Sequence, residues 1–204
     1  DLLSEVVRFP TFKTKEIELH RDKAITAIRR EKDNKALLAG RHFSEMLYGE
    51  HPYANPPIGT IEGLKAISRD EIIPFHKTHY LPNNSILTVV GDIDYENTLA
   101  GIKEAFGDWK RGDVSKPTLP PVPIIDGYKI RIVNKPDLTQ TEIRLGHIGI
   151  TRNDPDYFTL MLMNYIFGRG PTSRLYTKVR VEKGLTYGAN SGFAARKLRG
   201  PFYI

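Results

Sequence analysis

The spacing of apolar residues predicts a series of helices in the first half of the chain. In residues 13–32, Ile17, Ala24 and Ile28 follow one another at intervals of seven and four, and charged residues occupy the opposite face. This periodicity is typical of an amphipathic helix. The same spacing predicts further helices over residues 1–8, 35–48, 61–66, 69–80 and 95–106.

The second half of the chain contains shorter apolar runs that predict strands. Runs of β-branched residues bounded by turn residues are typical of buried strands. The stretch PDYFTLMLMNYIF, which follows Asp154, is apolar almost all round and predicts a buried helix. Ser173 begins a basic helix over residues 174–183 that ends at Gly184. Strands are predicted over residues 85–92, 129–134, 139–150, 185–195 and 201–204.

A proline-rich stretch, residues 111–127, separates these two halves. It holds four prolines and has no helical or strand periodicity, which favours a semi-extended linker between domains. The sequence therefore predicts an α+β protein with one domain over residues 1–110 and a second over residues 128–204. The chain begins and ends inside an apolar pattern, so we expect both domains to be truncated.

Composition and charge narrow the class of function. The chain has no Cys and therefore no disulfide or thiolate metal site. No apolar run approaches the roughly 18 residues of a membrane-spanning helix. The net charge of +6 is concentrated in residues 168–200, where eight Lys or Arg and one acidic residue, Glu182, give a local charge of +7. Such a segment suits a peptide carboxylate or an acidic protein surface, and the aromatic-interleaved basic groove of nucleic-acid-binding proteins does not accompany it.

Histidines give few candidates for a metal site. His76 and His79 lie three residues apart on a predicted helix, a spacing that can chelate a metal, but no third ligand accompanies them. A packed helix end explains them better. His42 and His51 are isolated, and we expect them in surface or loop roles. The chain contains no HExxH, HxxEH, GxSxG, phosphate-binding or dinucleotide-binding motif.

Arg180 and Tyr187 form the most specific candidate site. Gly184 between them reverses the chain, so a guanidinium at a helix end and a phenol on the next strand can face one space. A guanidinium can hold a peptide carbonyl or carboxylate, and a neutral phenol can donate to an oxyanion. The residues alone also fit a structural explanation, in which Arg180 complements the negative helix end and Tyr187 packs on a strand.

Four segments of the chain, in order, resemble the M16 family of zinc peptidases, which includes pitrilysin, insulinase and mitochondrial processing peptidase. They carry the sequences HPY, YLPNN and VVGD and the pattern SRLY…R…KGLTY, and together they cover most of the chain. The resemblance implies tandem domains, each an antiparallel or mixed sheet covered by helices. In that family two such domains form a half, and two halves close around an unfolded peptide.

The resemblance also implies a departure from the catalytic pattern. Active members carry an HxxEH zinc motif early in the first domain, which would precede Asp1 here, and two glutamates seven residues apart on a later helix. His20 and Ala27 stand at these acidic positions, and an alanine methyl cannot bind zinc. The implied outcome is that this chain binds no zinc or other cofactor and that a partner subunit holds the zinc.

Arg180 and Tyr187 match the Arg and Tyr with which the family contacts substrate. The resemblance thus implies an M16-like peptidase subunit, non-catalytic alone, that lends this pair to an HxxEH-containing partner in peptide hydrolysis, as a heterodimer or in a homo-oligomer. Two alternatives stay open: a purely structural assembly subunit, and a complete zinc peptidase whose HxxEH precedes Asp1. We expect no nucleic-acid partner. The sequence does not indicate the substrate or the cellular compartment. Bacterial members of the family are the only reason to expect a periplasmic protein.

Overall fold

A computed structural model describes residues 2–115 and 117–204 of the chain. Residue 1 of the first predicted domain and residue 116 of the predicted linker lie outside the described residues. The described chain is α+β, which confirms the predicted fold class, with helices followed by a small antiparallel sheet that a further helix pair interrupts. The helices are α1 (Leu2–Arg8), α2 (Thr14–Glu31), α3 (Lys35–Tyr48), α4 (Ile61–Ala66), α5 (Arg69–His79), α6 (Tyr95–Phe106), α7 (Tyr157–Phe167) and α8 (Arg174–Tyr176).

Local capping residues set several helix ends. The Asn34 side chain accepts hydrogen bonds from the backbone N–H groups at the start of α3, and Asp94 does the same for α6. At the start of α5, the backbone N–H and the hydroxyl of Ser68 both donate to the Glu71 carboxylate. These two bonds lower the pKa of Glu71. Gly49 ends α3 with a φ of 54°, which favours glycine.

The sheet consists of three short strands in the order β1 (Gly146–Ile148), β3 (Pro201–Tyr203), β2 (Gly192–Phe193). Both pairings are antiparallel, and Phe202 lies opposite His147 on one side and Phe193 on the other. The rings of Phe193 and Phe202 have centroids 4.7 Å apart. Aromatic cross-strand pairs of this kind stabilise a sheet.

Most of the predicted strand residues are not in strands. Within the described residues, regular β-structure is confined to β1, β2 and β3, so the predicted strands 85–92 and 129–134 are wrong and those over 139–150 and 185–195 are too long. A strand needs a neighbour for its N–H and C=O groups. Residues 85–90 and 129–133 have no ladder partner in the described chain, and Ile86 is 96% exposed. β-Branched composition indicates a fit to a pleated surface and does not provide the neighbour.

The apolar helix α7 also departs from its prediction. The sequence predicts a buried helix, yet Phe158 is 79% exposed and Leu162 is 65% exposed. Asn164 is the one α7 residue that the structure buries. Helix α8 and strand β2 pack against α7, and the Phe167 ring lies 6.4 Å from the Phe202 ring of β3, but these contacts leave Phe158 and Leu162 largely exposed.

The chain divides into two compact units, and unit 1 comprises the residues up to Ile28 together with Gly59–Thr118. In unit 1 the Ser4 hydroxyl donates to the Ala105 carbonyl at 2.7 Å, which fastens α1 to the end of α6. Arg8 donates to the same carbonyl and pairs with Asp108 at 2.6 Å. These bonds explain why Ser4, a polar residue, is buried.

Unit 2 comprises Arg29–Ile58 and Leu119–Ile204. Its core is a cluster of four buried residues against which side chains of β1, β3 and the proline-rich stretch pack. The four are Phe43, Leu47, Tyr48 and Ala54, and the packing residues include Val122, Ile125, Ile148 and Tyr203. The sequence predicts a boundary between two homologous domains, residues 1–110 and 128–204. The two compact units are defined by packing and do not test that boundary, so it stays a prediction. Among the described helices, none has the length and apolar content required to cross a membrane.

Candidate functional site

Arg180 lies on a helical segment that changes its hydrogen-bonding pattern midway. The predicted basic helix over 174–183 starts as α8 and continues as one π-helical turn, Thr177–Glu182. The Ser173 side chain accepts from the Tyr176 N–H at the start of the segment. At its end the Lys183 N–H donates to the Lys178 carbonyl, five residues back. Single π-helical turns are frequent at functional sites.

The structure brings Arg180 and Tyr187 together. The Cζ atom of Arg180 lies 5.6 Å from the centroid of the Tyr187 ring, within the range of a cation–π contact. Gly184 lies between them with a φ of 63°, a conformation that favours glycine. The predicted chain reversal at Gly184 is therefore present, although Tyr187 lies in an irregular segment and not on a strand.

Tyr187 presents its side chain to solvent from a braced turn. The Thr186 hydroxyl donates to the Gly188 carbonyl at 2.9 Å and accepts from the Gly188 N–H at 3.2 Å. These two bonds join Thr186 to Gly188 across the backbone of Tyr187. Tyr187 itself is 83% exposed. An exposed phenol held by its neighbours is free to donate to a ligand.

The charges around Arg180 leave its guanidinium available. Glu182 is the only acidic residue in residues 168–200, and its carboxylate pairs with Lys178 at 2.6 Å. Among the ion pairs of the described residues, none involves Arg180. A guanidinium without a carboxylate partner can bind a carbonyl or carboxylate of a ligand.

His20 and Ala27 both lie on the exposed surface of α2. Seven residues correspond to about two helical turns, so the two positions share a face. His20 borders an open groove of about 990 Å³ in unit 1, which is lined mainly by apolar side chains that include Phe9 and Ile17. Ala27 offers no ligating atom.

The other histidines take part in packing and hydrogen bonding. His76 lies 2.8 Å through Nε2 from the Val7 carbonyl and stacks on Tyr80, which agrees with the packed helix end that we favoured. His51 is 4% exposed, so it is a loop residue but not a surface one. Its Nδ1 accepts from the Tyr53 N–H, and its Nε2 therefore donates to the Pro120 carbonyl at 3.1 Å.

His42 contributes to an ion-pair cluster on α3. Its Nδ1 lies 3.1 Å from the Glu45 carboxylate, which also pairs with Arg41 and Arg131. Burial acts to raise the pKa of Glu45, but the hydrogen bonds from Arg41 and His42 outweigh it and the pKa is lowered. Within the described residues no three His, Asp or Glu side chains are grouped so that they could hold a metal ion.

Sequence reasoning missed a buried polar cluster at the two ends of the segment that carries Arg180 and Tyr187. Asn164 is 1% exposed and Ser191 is 5% exposed, and their side chains hydrogen-bond to each other at 2.7 Å. The available signal was the amide of Asn164 in an otherwise mainly apolar helix. Its partner could not be found from the sequence because it lies 27 residues away.

Comparison with known proteins identifies the family. Residues 66–204 match the family model described as the peptidase M16 inactive domain. The chain belongs to the M16 peptidase family. A relative in Mycobacterium leprae, named as an uncharacterized zinc protease, is 30% identical over 192 residues, which are 94% of this chain and 43% of that relative. The resemblance predicted from the sequence is therefore confirmed.

Solved M16 structures share the fold. The crystal structure of a peptidase M16 inactive domain from Pseudomonas fluorescens matches with a TM-score of 0.82 and 27% identity, over 100% of this chain and 49% of that one. A protease from Helicobacter pylori matches with a TM-score of 0.91 and 25% identity, over 99% and 49%. This M16 chain thus spans about half the length of the relatives that it matches.

Proposed function

We propose that this M16 chain is a peptidase subunit that lends Arg180 and Tyr187 to a partner subunit. Arg180 binds the backbone of the substrate peptide, and Tyr187 stabilises the oxyanion that forms during hydrolysis. The observation that supports this most directly is the contact between the two side chains, 5.6 Å from guanidinium carbon to ring centroid, with the phenol exposed.

The chemistry of the pair suits these two roles. The guanidinium is permanently charged and presents donors in a fixed fork, which matches a peptide carbonyl or carboxylate. The phenol carries one hydroxyl group, which can donate one hydrogen bond. A donor aimed at the position of a developing oxyanion stabilises the transition state more than the ground state. Stacking of Arg180 on the Tyr187 ring limits the orientations of the phenol.

The described residues of this chain do not fit a zinc site of their own. Ala27 stands where a ligating or supporting carboxylate would be needed, and the described residues hold no group of three metal-binding side chains. We therefore place the zinc and the water that it activates in the proposed HxxEH-containing partner. A heterodimer suits this proposal better than a homo-oligomer because a second copy would bring the same Ala27.

Reconstitution of the full-length protein with an HxxEH-containing M16 subunit tests the proposal. Cleavage of a fluorogenic peptide should require both subunits. Tyr187→Phe should lower kcat by about 10²- to 10³-fold, the usual effect of removing one oxyanion donor. Arg180→Ala should lower kcat/KM and raise KM because substrate anchoring is lost.

Matched controls separate the pair from general surface effects. Tyr128 is fully exposed elsewhere in unit 2, and Lys183 is an exposed cation three residues from Arg180. Tyr128→Phe and Lys183→Ala should leave the rate within about twofold, as expected for substitutions outside the site. If Tyr187→Phe and Arg180→Ala behave like these controls, the chain has no catalytic role and serves as a structural subunit.

A further inference from the structure

The segment that carries Arg180 and Tyr187 leaves and rejoins the rest of unit 2 at one point. We call residues 169–190 the Arg–Tyr loop, and we call Asn164, Gly168 and Ser191 the loop base. The Ser191 N–H donates to the Gly168 carbonyl at 2.9 Å, which brings the two ends of the loop together. The Gly168 N–H donates in turn to the Asn164 carbonyl at 2.8 Å at the end of α7.

Side-chain hydrogen bonds complete the loop base. The Ser191 hydroxyl donates to Asn164 Oδ1 at 2.7 Å, and Asn164 Nδ2 donates to the Ser191 carbonyl at 3.2 Å. Both side chains are almost fully buried, so water cannot replace these bonds. Loss of either partner leaves a buried polar group without a bond, which is unfavourable.

Gly168 allows the loop ends to approach this closely. A Cβ atom at position 168 would lie 2.0 Å from the Ser191 hydroxyl oxygen and 2.9 Å from the Ser191 backbone nitrogen. Any side chain at Gly168 would therefore push Ser191 away from Asn164. The close approach of the two loop ends therefore depends on Asn164, Gly168 and Ser191 together.

One further hydrogen bond, from the Arg169 N–H to the Asn164 carbonyl at 3.0 Å, joins the Arg–Tyr loop to the loop base. Among the hydrogen bonds of the described residues, those between Ser173 and Gly170, Lys178 and Glu182, and Thr186 and Gly188 all stay inside the loop. They give the loop internal order. Its direction relative to the end of α7 depends on the loop base and on the packing of α8 against α7.

We propose that Asn164 and Ser191 are positioning residues that hold Arg180 and Tyr187 in the geometry needed for peptide hydrolysis, an inference that rests on the proposed function. The buried pair fixes both ends of the Arg–Tyr loop at once. A small change at the base displaces the guanidinium and the phenol at the far end. Misplacement of a catalytic group by about 1 Å can cost about a hundredfold in rate.

Limited proteolysis of the full-length protein tests the structural part of this inference without any activity. The loop contains five trypsin sites, after Arg169, Arg174, Lys178, Arg180 and Lys183. Ser191→Ala removes one hydroxyl, and Asn164→Asp removes the donor to the Ser191 carbonyl. Each should accelerate cleavage within the loop by about tenfold, because cleavage follows the population of locally opened states.

A matched control separates loop opening from general loss of stability. Tyr48→Phe alters another buried hydrogen-bonded residue of unit 2, one that donates to the Arg199 carbonyl and lies outside the loop base. It should leave trypsin cleavage inside the Arg–Tyr loop unchanged. Equal acceleration by Tyr48→Phe and Ser191→Ala would overturn the inference, because both variants would then act by destabilising the whole unit.

A double-mutant cycle in the reconstituted peptidase tests the positioning role. Ser191→Ala should lower kcat at least tenfold in the wild-type background and have little effect when Arg180→Ala and Tyr187→Phe are already present, because it acts through these side chains. Ser191→Thr, which keeps the hydroxyl, should restore most of the rate. If Ser191→Ala lowers kcat equally in the protein that already carries Arg180→Ala and Tyr187→Phe, the positioning role is refuted.

The two assays keep this inference distinct from the proposed function. If Arg180→Ala and Tyr187→Phe leave cleavage intact, the proposed function fails, and the positioning role fails with it whatever trypsin reports. If those substitutions abolish cleavage while Ser191→Ala and Asn164→Asp change neither kcat nor trypsin sensitivity, the proposed function stands and only the inference about the loop base is wrong.

Discussion

Raising the pH should weaken the core of unit 2 through a single tyrosine, Tyr48. Its side chain is 1% exposed, and its hydroxyl donates to the Arg199 carbonyl at 3.1 Å. Burial raises the pKa of Tyr48 from 10.0 to about 12, with Tyr53 adding to the shift and Arg196 opposing it. The buried phenol resists ionisation because a phenolate there would lose its hydration.

The sign and size of the effect follow from this difference in pKa. In the unfolded chain Tyr48 ionises near pH 10, whereas in the folded chain it stays neutral until about pH 12. Its stabilising contribution is therefore complete below pH 10 and is lost as the pH rises from 10 to 12. Two pH units correspond to about 3 kcal/mol in the free energy of unfolding.

Tyr48→Phe should be less stable than the wild type at moderate pH and more stable than the wild type at high pH. Near about pH 8 the variant should be less stable than the wild type by about 1 kcal/mol, because the hydrogen bond to Arg199 is lost. Phenylalanine does not ionise, so the variant does not lose the free energy of unfolding that the wild type loses when Tyr48 ionises. Above about pH 11 it should be the more stable protein by about 1 kcal/mol.

Urea unfolding followed by far-ultraviolet circular dichroism, repeated at several pH values, measures this reversal. Tyr128→Phe is the matched control, since Tyr128 is fully exposed and its loss should leave the pH dependence unchanged. The ultraviolet absorbance of tyrosinate should show one late-ionising group that is missing in Tyr48→Phe. Parallel stability curves for Tyr48→Phe and the wild type across the whole range would refute the reasoning.

Two further predictions concern α3 and the basic segment. Asn34→Ala should lower the free energy of unfolding by about 1 kcal/mol, because the Asn34 side chain accepts from both Ala36 N–H and Leu37 N–H, and Asn34→Asp should largely preserve stability in the same denaturation assay. Residues 168–200 carry a charge of +7, so binding of an acidic peptide, measured by fluorescence anisotropy, should weaken as salt rises. Equally strong binding of a basic peptide would contradict this electrostatic preference.

The sequence predicted the parts of the fold that depend on neighbouring residues in the chain. The bounds of α3, α4 and α6 follow from apolar spacing and from caps such as Asp94, which act within three or four residues. Strands depend on partners far away in the sequence. Ile86 and Val90 have the composition of a strand and are 96% and 90% exposed, because composition does not specify a neighbour.

The candidate site shows the same limit at finer scale. Seven residues of uninterrupted α-helix would separate Arg180 from Tyr187 by about 10 Å along the axis, and the reversal at Gly184 instead brings the two side chains to 5.6 Å. That local reversal could be predicted from a single glycine. What holds the reversed segment in place could not, because the apolar run around Asn164 predicted only a buried helix, whereas the buried residue is the amide itself. If the loop base positions the pair as proposed, the most polar side chain of α7 matters more for function than the apolar residues that dominate its pattern.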